Sequence, residues 1–138
     1  MNLLSQKKNW RTTRLLAFGC AIIIALTFSL QANAKKTQSG SIGSVTCNAS
    51  LTRMVESSVA TTTCSSGSAT CSVSVSMEYY YKDAAGVGHS GTASGSAAGT
   101  TPVTKTVNGS GSQIQSIHSY SQHDVVYSAG HWGYSLNE

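Results

Sequence analysis

Residues 71–82 read CSVSVSMEYYYK, and their alternating pattern decides the fold class of this chain. One set of alternate positions is mostly apolar or aromatic and consists of Cys71, Val73, Val75, Met77, Tyr79 and Tyr81. The other set consists of Ser72, Ser74, Ser76, Glu78, Tyr80 and Lys82. Side chains of a β-strand point alternately to its two faces, so the pattern predicts a central strand with the first set buried and Tyr80 exposed. The strand should end at the turn-forming residues 83–86.

Shorter segments on both sides show the same period of two. The candidate strands are residues 45–51, 59–64, 103–107, 114–120, 125–127 and 132–136. Residues 89–99 are a weaker candidate, because three glycines leave little side-chain mass there. The pair Asn108-Gly109 signals a tight hairpin turn, so the segments before and after it should be neighbouring strands. In residues 114–120 both faces carry an isoleucine, so the pattern does not decide which face points into the core.

Six or seven short strands at a spacing of roughly ten residues, with no helical period after residue 34, predict an all-β fold. The expected architecture is a small antiparallel β-sandwich or a barrel. In general layout it resembles the immunoglobulin-like sandwiches. The Cys, Trp, Cys spacing of that family is absent, because Trp132 lies beyond all the cysteines. The resemblance therefore implies the architecture alone.

The first 34 residues have the features of a signal peptide. An apolar run, residues 15–30, follows a basic segment and leads to the small-x-small cleavage site Ala32-Asn33-Ala34. The basic residues are Lys7, Lys8, Arg11 and Arg14. An uncleaved N-terminal anchor is the alternative. We expect a secreted, extracellular protein that meets the membrane only before cleavage, and the long leader favours a Gram-positive bacterial source.

Beyond the leader, residues 35–43 are polar without an apolar period and predict a flexible N-terminal arm, whereas residues 44–138 predict a single β domain. These 104 residues carry five basic and five acidic side chains, so the formal net charge of +4 belongs to the leader. Without a basic stripe, nucleic acid is excluded as a main partner. Ser, Thr and Gly fill 46 of the 104 positions, which is also typical of disordered linkers, but the alternation favours folding.

Three cysteines follow the leader, and an odd number leaves at least one thiol unpaired in an exported chain. Residues 66–69 contain Gly67 and can turn a hairpin that places Cys64 opposite Cys71. We therefore predict a Cys64–Cys71 disulfide with Cys47 as the possible free thiol. A Cys47–Cys71 bridge is the alternative, since loop entropy separates the pairings only weakly.

A group of potential metal ligands lies within fourteen residues and consists of His118, His123, Asp124 and His131. Imidazole and carboxylate groups together suit zinc or copper. The spacing matches no metal-binding motif, so solvated histidines are the competing interpretation, and no cofactor is predicted.

The sequence contains no paired carboxylates and no complete nucleophile motif, so we expect no enzymatic activity. Exposed aromatic side chains suit carbohydrate or protein surfaces, and the candidates are Tyr80, Trp132 and Tyr134. Packing of these rings into a thin core is the competing interpretation. We expect a secreted domain that acts by contact with an extracellular protein or carbohydrate. A small secreted antibacterial, bacteriocin-like or signalling effector is the alternative.

Overall fold

The computed structural model describes residues 33–65 and 71–138, and these residues form eight β-strands and no helix. The strands are β1 (Ala34–Ile42), β2 (Val45–Arg53), β3 (Ser57–Ser65), β4 (Ser72–Lys82), β5 (Gly88–Ala98), β6 (Val103–Asn108), β7 (Gln115–Tyr127) and β8 (Gly130–Asn137). The described part of the chain contains no helix long and apolar enough to cross a bilayer. The predicted leader lies outside the described residues except for Asn33 and Ala34.

The strands form two antiparallel four-stranded sheets that pack face to face. The first sheet has the order β1-β2-β3-β6 and the second has the order β5-β4-β7-β8. The all-β prediction is confirmed, and the architecture is sandwich-like, with eight strands instead of six or seven. The strand order differs from that of immunoglobulin domains, in which strands A, B, E and D form one sheet. Here three strands that are consecutive in the chain lie side by side in the first sheet.

The core lies between the inner faces of the two sheets, where the alternating segments bury the predicted sets. In β2 the buried side chains are Val45, Cys47, Ala49 and Leu51. In β4 and the residue before it, the buried side chains are Cys71, Val73, Val75, Met77, Tyr79 and Tyr81. Both sets match the sequence prediction, because each segment supplies an apolar residue at every second position over at least seven residues.

Residues 35–43, predicted as a flexible arm, instead contain the greater part of β1. This strand pairs with β2 along its whole length, from Ala34 opposite Arg53 to Ile42 opposite Val45. An edge strand covers little core, so it needs few apolar side chains, and of its inward residues only Ile42 is fully buried. The prediction failed because it required an apolar period that an edge strand does not need.

The prediction of a hairpin at Asn108-Gly109 is wrong. Strand β6 pairs with β3 in the first sheet, whereas β7 belongs to the second sheet, so the connection crosses from one sheet to the other. Gly109 donates its N–H to the carbonyl of Glu56 at 2.8 Å. The positive φ angles occur later, at Gly111 and Gln113.

Strand β7 contains a β-bulge that explains its ambiguous pattern. Opposite β4, Tyr80 pairs with His118 and Tyr81 pairs with Ser116, so Ile117 is an extra residue. Ile114 is buried before the bulge, and Ser119, Ser121, His123 and Val125 are buried after it. The inward face therefore changes from even to odd positions, and Ile117 is left 47% exposed.

Strand β5, the weak candidate in the sequence, is a regular eleven-residue edge strand paired with β4. Its glycines allow the other sheet to approach closely. A Cβ atom at Gly91 would lie 2.6 Å from Val107 Cγ1, and one at Gly95 would overlap the side chain of Lys105. Because the inner face of β5 carries small residues at these positions, the side chains of Val107 and Lys105 can pack directly against its backbone.

Candidate functional site

A shallow groove crosses the outer face of the second sheet and is the leading candidate site. It has a volume of about 410 Å³ and is lined by Ser76, Met77, Glu78, Thr92, Ala93, Ser94 and Tyr120. Strand register brings these residues together. Glu78 of β4 lies opposite Thr92 of β5 on one side and Tyr120 of β7 on the other. The next outward row of the same two strands places Ser76 opposite Ser94.

The groove combines one carboxylate with hydroxyl groups and an aromatic wall. Glu78 is half-buried, and it is the single acidic residue among those that line the groove. The hydroxyl of Tyr120 donates a hydrogen bond to Ser135 Oγ on β8 at 3.1 Å, which fixes the ring across the sheet. A carboxylate accepts hydrogen bonds only, whereas the serine and threonine hydroxyls both donate and accept. The groove can therefore satisfy a ligand that presents several hydroxyl groups.

Tyr80 continues the same face two residues beyond Glu78. It is 37% exposed, as the sequence predicts, and its ring lies 5.8 Å from the His118 ring at an angle of 41°. The adjacent Glu78 carboxylate raises the pKa of the Tyr80 phenol, because it favours the protonated hydroxyl. Tyr80, Glu78 and Tyr120 thus form one polar and aromatic surface.

Trp132 and Tyr134, the other two aromatic candidates, lie elsewhere. Their rings stack at 6.4 Å on edge strand β8, opposite the inward residues Val125 and His123. Trp132 is half-buried against the core and covers Gly40 of β1, whereas Tyr134 is 44% exposed. These two rings close the β1/β8 side of the sandwich, so they do not share a site with Tyr80.

The predicted metal ligands are not brought together. Asp124 and His131 lie on the outer face, with His131 Nε2 2.9 Å from Asp124 Oδ1. His123 points to the opposite face and is fully buried, and His118 is six residues from Asp124, roughly 20 Å along an extended strand. Within residues 33–65 and 71–138, no group of three His, Cys, Asp or Glu side chains could hold a metal ion.

The three cysteines are buried free thiols, so the predicted Cys64–Cys71 disulfide is absent from this structure. The predicted hairpin is also absent, because β3 and β4 belong to different sheets, although the Cys64 and Cys71 thiols lie near each other. Cys64 instead lies opposite Cys47 and donates its S–H to the carbonyl of Gly99 at 3.3 Å. Burial, together with the nearby Cys71 thiol, raises the pKa of Cys64 to about 11.

His123 serves as a core residue that joins the two sheets. Its Nδ1 shares a hydrogen bond of 2.7 Å with Thr62 of β3, and its Nε2 shares one of 2.7 Å with Ser121. Burial lowers the pKa of His123 to about 4, so the ring is neutral at physiological pH. Because the side chain is fully buried, it cannot reach a ligand in solution.

Sequence reasoning found Tyr80, but it missed the groove. The alternation in residues 71–82 places Glu78 and Tyr80 on the outer face. It cannot show which residues of β5 and β7 lie beside them, since this depends on register between segments far apart in the chain.

Comparisons of the chain with protein-family models, with curated proteins and with solved structures found no match. The structure itself presents a β-sandwich with a shallow groove on one outer face, lined by hydroxyl groups and bordered by an aromatic ring.

Proposed function

We propose that this chain is an exported, non-enzymatic binding domain that takes a neutral carbohydrate in the groove on the second sheet. The observation that carries the proposal is the row formed by Tyr120, Glu78 and Thr92, with Tyr80 on the same face. A carboxylate beside hydroxyl groups can bind adjacent sugar hydroxyls, and a tyrosine ring can contact the apolar face of a sugar.

The charge of the groove favours a neutral ligand. Glu78 is its only charged lining residue, so an anionic ligand would meet repulsion without a compensating cation. A protein partner would require a larger apolar centre, and the lining side chains here are mainly serine, threonine and carboxylate. A polyol satisfies these groups better than either.

Binding is favoured over hydrolysis by the number of carboxylates. Most glycoside hydrolases use two acidic residues on either side of the bond they cleave. Glu78 has no acidic neighbour among the residues that line the groove. A lone carboxylate between two hydroxyl-bearing residues is suited to holding a sugar.

The test is a titration of the purified protein with a panel of neutral oligosaccharides, accompanied by pull-down on insoluble neutral polysaccharides. We expect saturable binding that weakens roughly 10-fold or more in Glu78→Gln and in Tyr120→Ala, because the first change replaces charge-assisted hydrogen bonds by weaker neutral ones and the second removes the aromatic wall. Tyr134→Ala is the matched control, since it removes an exposed tyrosine from the other side of the sandwich.

Three results would refute this proposal: no saturable binding across the panel, equal loss in the Tyr134→Ala control, or release of reducing sugar by the wild-type protein. Killing or inhibition of neighbouring cells by a variant that lacks Glu78 and Tyr120 would favour the effector function instead.

Export itself forms part of the proposal and has a separate test. The leader pattern supports cleavage after Ala34, which gives a secreted protein that begins at Lys35. Intact mass measurement on protein recovered from the culture medium should give a first residue of Lys35. A mass that includes earlier residues would contradict cleavage at this site.

A further inference from the structure

Strand β5 leaves a row of main-chain groups without a partner in the described part of the chain. Strand β5 is the edge of the second sheet and pairs with β4 on one side only. Two hydrogen bonds beyond its ends fix the pattern: Asp83 N–H donates to Val87 O at 3.1 Å, and Gly99 N–H donates to Cys71 O at 2.7 Å. In an antiparallel ladder, hydrogen-bonded pairs alternate with non-hydrogen-bonded pairs. The odd-numbered residues of β5 therefore bond to β4, and the even-numbered residues point their N–H and C=O groups outward.

The four even positions in the middle of this free edge are Ser90, Thr92, Ser94 and Ser96, and all four side chains are exposed. An unpaired edge of this length is a template for another strand. Proteins normally protect such edges with charged side chains, proline, bulges or short strands. Strand β5 has eleven residues, no Lys, Arg, Asp, Glu or Pro, and an unbroken register with β4.

The other three edges carry protective features. Strand β1 contains Lys35 and Lys36, and the ammonium of Lys36 donates a hydrogen bond of 2.6 Å to the carbonyl of Asn137 on β8. That contact brings the edges of β1 and β8 together on one side of the sandwich. Strand β6 has only six residues, with Lys105 pointing inward between Val103 and Val107. An inward-pointing charge on an edge strand opposes further pairing.

We propose that two copies of this chain pair through their β5 edges in an antiparallel arrangement about a two-fold axis. A register centred on Ala93 places Ser90 opposite Ser96 and Thr92 opposite Ser94, so each outward-pointing residue of one copy exchanges two main-chain hydrogen bonds with the other. The second sheets of both copies then form one continuous eight-stranded sheet.

A second copy fits this edge better than a charged or bulky strand would. In the same register Gly91 lies opposite Gly95, and Ala93 lies opposite its own equivalent, so no large side chains meet on the inner face. Like charges do not oppose each other, because β5 contains none of the four charged residue types. The inner face near Gly91 and Gly95 is already occupied by Val107 and Lys105, which leaves room only for small residues. The pairing does not depend on what the groove binds.

The oligomeric state of the purified protein tests this inference. We expect light scattering after size exclusion to give a dimer mass that falls to the monomer mass on dilution. Ser94→Pro removes an outward N–H without breaking a bond to β4, and it should weaken dimerisation roughly 30-fold or more, because the change occurs twice in the symmetric pair. Ser94→Ala keeps the N–H and should dimerise like the wild type. A wild-type monomer at every soluble concentration, or a dimer unchanged by Ser94→Pro, would overturn the inference.

A second set of variants covers the case in which Ser94→Pro does not fold. Ser94→Lys and Ser94→Glu place like charges near the two-fold axis, so each variant alone should be monomeric. Mixed together, they should form a one-to-one heterodimer, because opposite charges then meet across the paired edges. A mixture that stays monomeric would reject self-pairing, as would a monomeric wild-type chain that instead takes up an extended synthetic peptide along β5.

Discussion

His123 shows how one side chain can be both a candidate ligand in the sequence and a structural residue in the fold. The sequence places it among the potential metal ligands, because His and Asp occur close together there. The structure buries it between Thr62 and Ser121, on the opposite face from Asp124 and His131. Alternation within β7 would have separated His123 from Asp124, but the bulge concealed which set is buried.

The lowered pKa of His123 predicts a stability that depends on pH. The unfolded chain binds a proton near pH 6.5, whereas the folded chain does so only near pH 4. Stability should therefore be complete above about pH 6.5 and fall as the pH drops to about 4, with a total loss of about 3 kcal/mol. Chemical denaturation across this range measures the loss. His131→Gln, an exposed control, should keep the dependence, and a His123→Gln variant with the same dependence as the wild type would contradict the assignment.

Gly40 is a second residue whose identity the packing requires. A Cβ atom at this position would overlap the indole of Trp132, which covers it from β8. We expect Gly40→Ala to displace Trp132 and to lower the free energy of unfolding by about 1–3 kcal/mol. Gly88→Ala is the control, because no atom lies within 4 Å of the Cβ position there. Equal melting temperatures for the two variants would show that the packing of Trp132 does not require a glycine at position 40.

At the scale of elements, the bulge in β7 makes a prediction that concerns chain length. Deleting Ile117 removes the extra residue and leaves Ser116 opposite Tyr81 and His118 opposite Tyr80, so both parts of β7 keep their inward faces. The deletion should cost about 1 kcal/mol, which reflects the loss of a hydrogen bond of 3.3 Å from Arg53 to the Ile117 carbonyl.

Deleting Gln122 provides the comparison, because it lies in the regular part of β7 opposite Ser76. That deletion would turn either Ser121 or His123 to the wrong face, and it should cost more than about 3 kcal/mol or prevent folding. Urea denaturation of both deletion variants measures the difference. Similar costs for the two deletions would show that Ile117 is not the extra residue.

The elements differ in how much of their structure the sequence reveals. Strands β2 and β4 are predicted with the correct buried faces, because central strands require an apolar residue at every second position. Strand β1 is missed and β5 is only a weak candidate, because edge strands can be built from small and polar residues. Asn108-Gly109 misleads because a turn signal carries no information about which sheet the next strand joins.

At the scale of the whole molecule, composition and alternation were sufficient for the all-β class, but the pairing of strands was not predictable. The groove needs β5, β4 and β7 in this order, and β7 lies more than thirty residues beyond β4 in the chain. The same long-range pairing decides which cysteine lies opposite Cys64. The pairing of β2 with β3 places Cys47 there, and a prediction based on a local hairpin does not contain this arrangement.

The outer face of the first sheet has a consequence for the solvent conditions that the protein tolerates. Cross-strand rows there consist largely of hydroxyl groups, such as Thr37, Ser50, Thr61 and Thr104, and the last two share a hydrogen bond of 2.9 Å. In the described residues, Lys36 with Glu138 is the sole pairing of a Lys or Arg with a carboxylate, at 3.6 Å. Dissolved salt weakens charge interactions but leaves the hydration of neutral hydroxyls nearly unchanged.

We therefore expect the free energy of unfolding at neutral pH to change by less than about 0.5 kcal/mol between dilute buffer and 0.5 M sodium chloride. Denaturation curves at the two salt concentrations measure this difference, and a larger shift would reveal a charge network that the described contacts lack. A domain whose outer face is hydrated by neutral hydroxyl groups thus holds its folded structure with little regard to ionic strength.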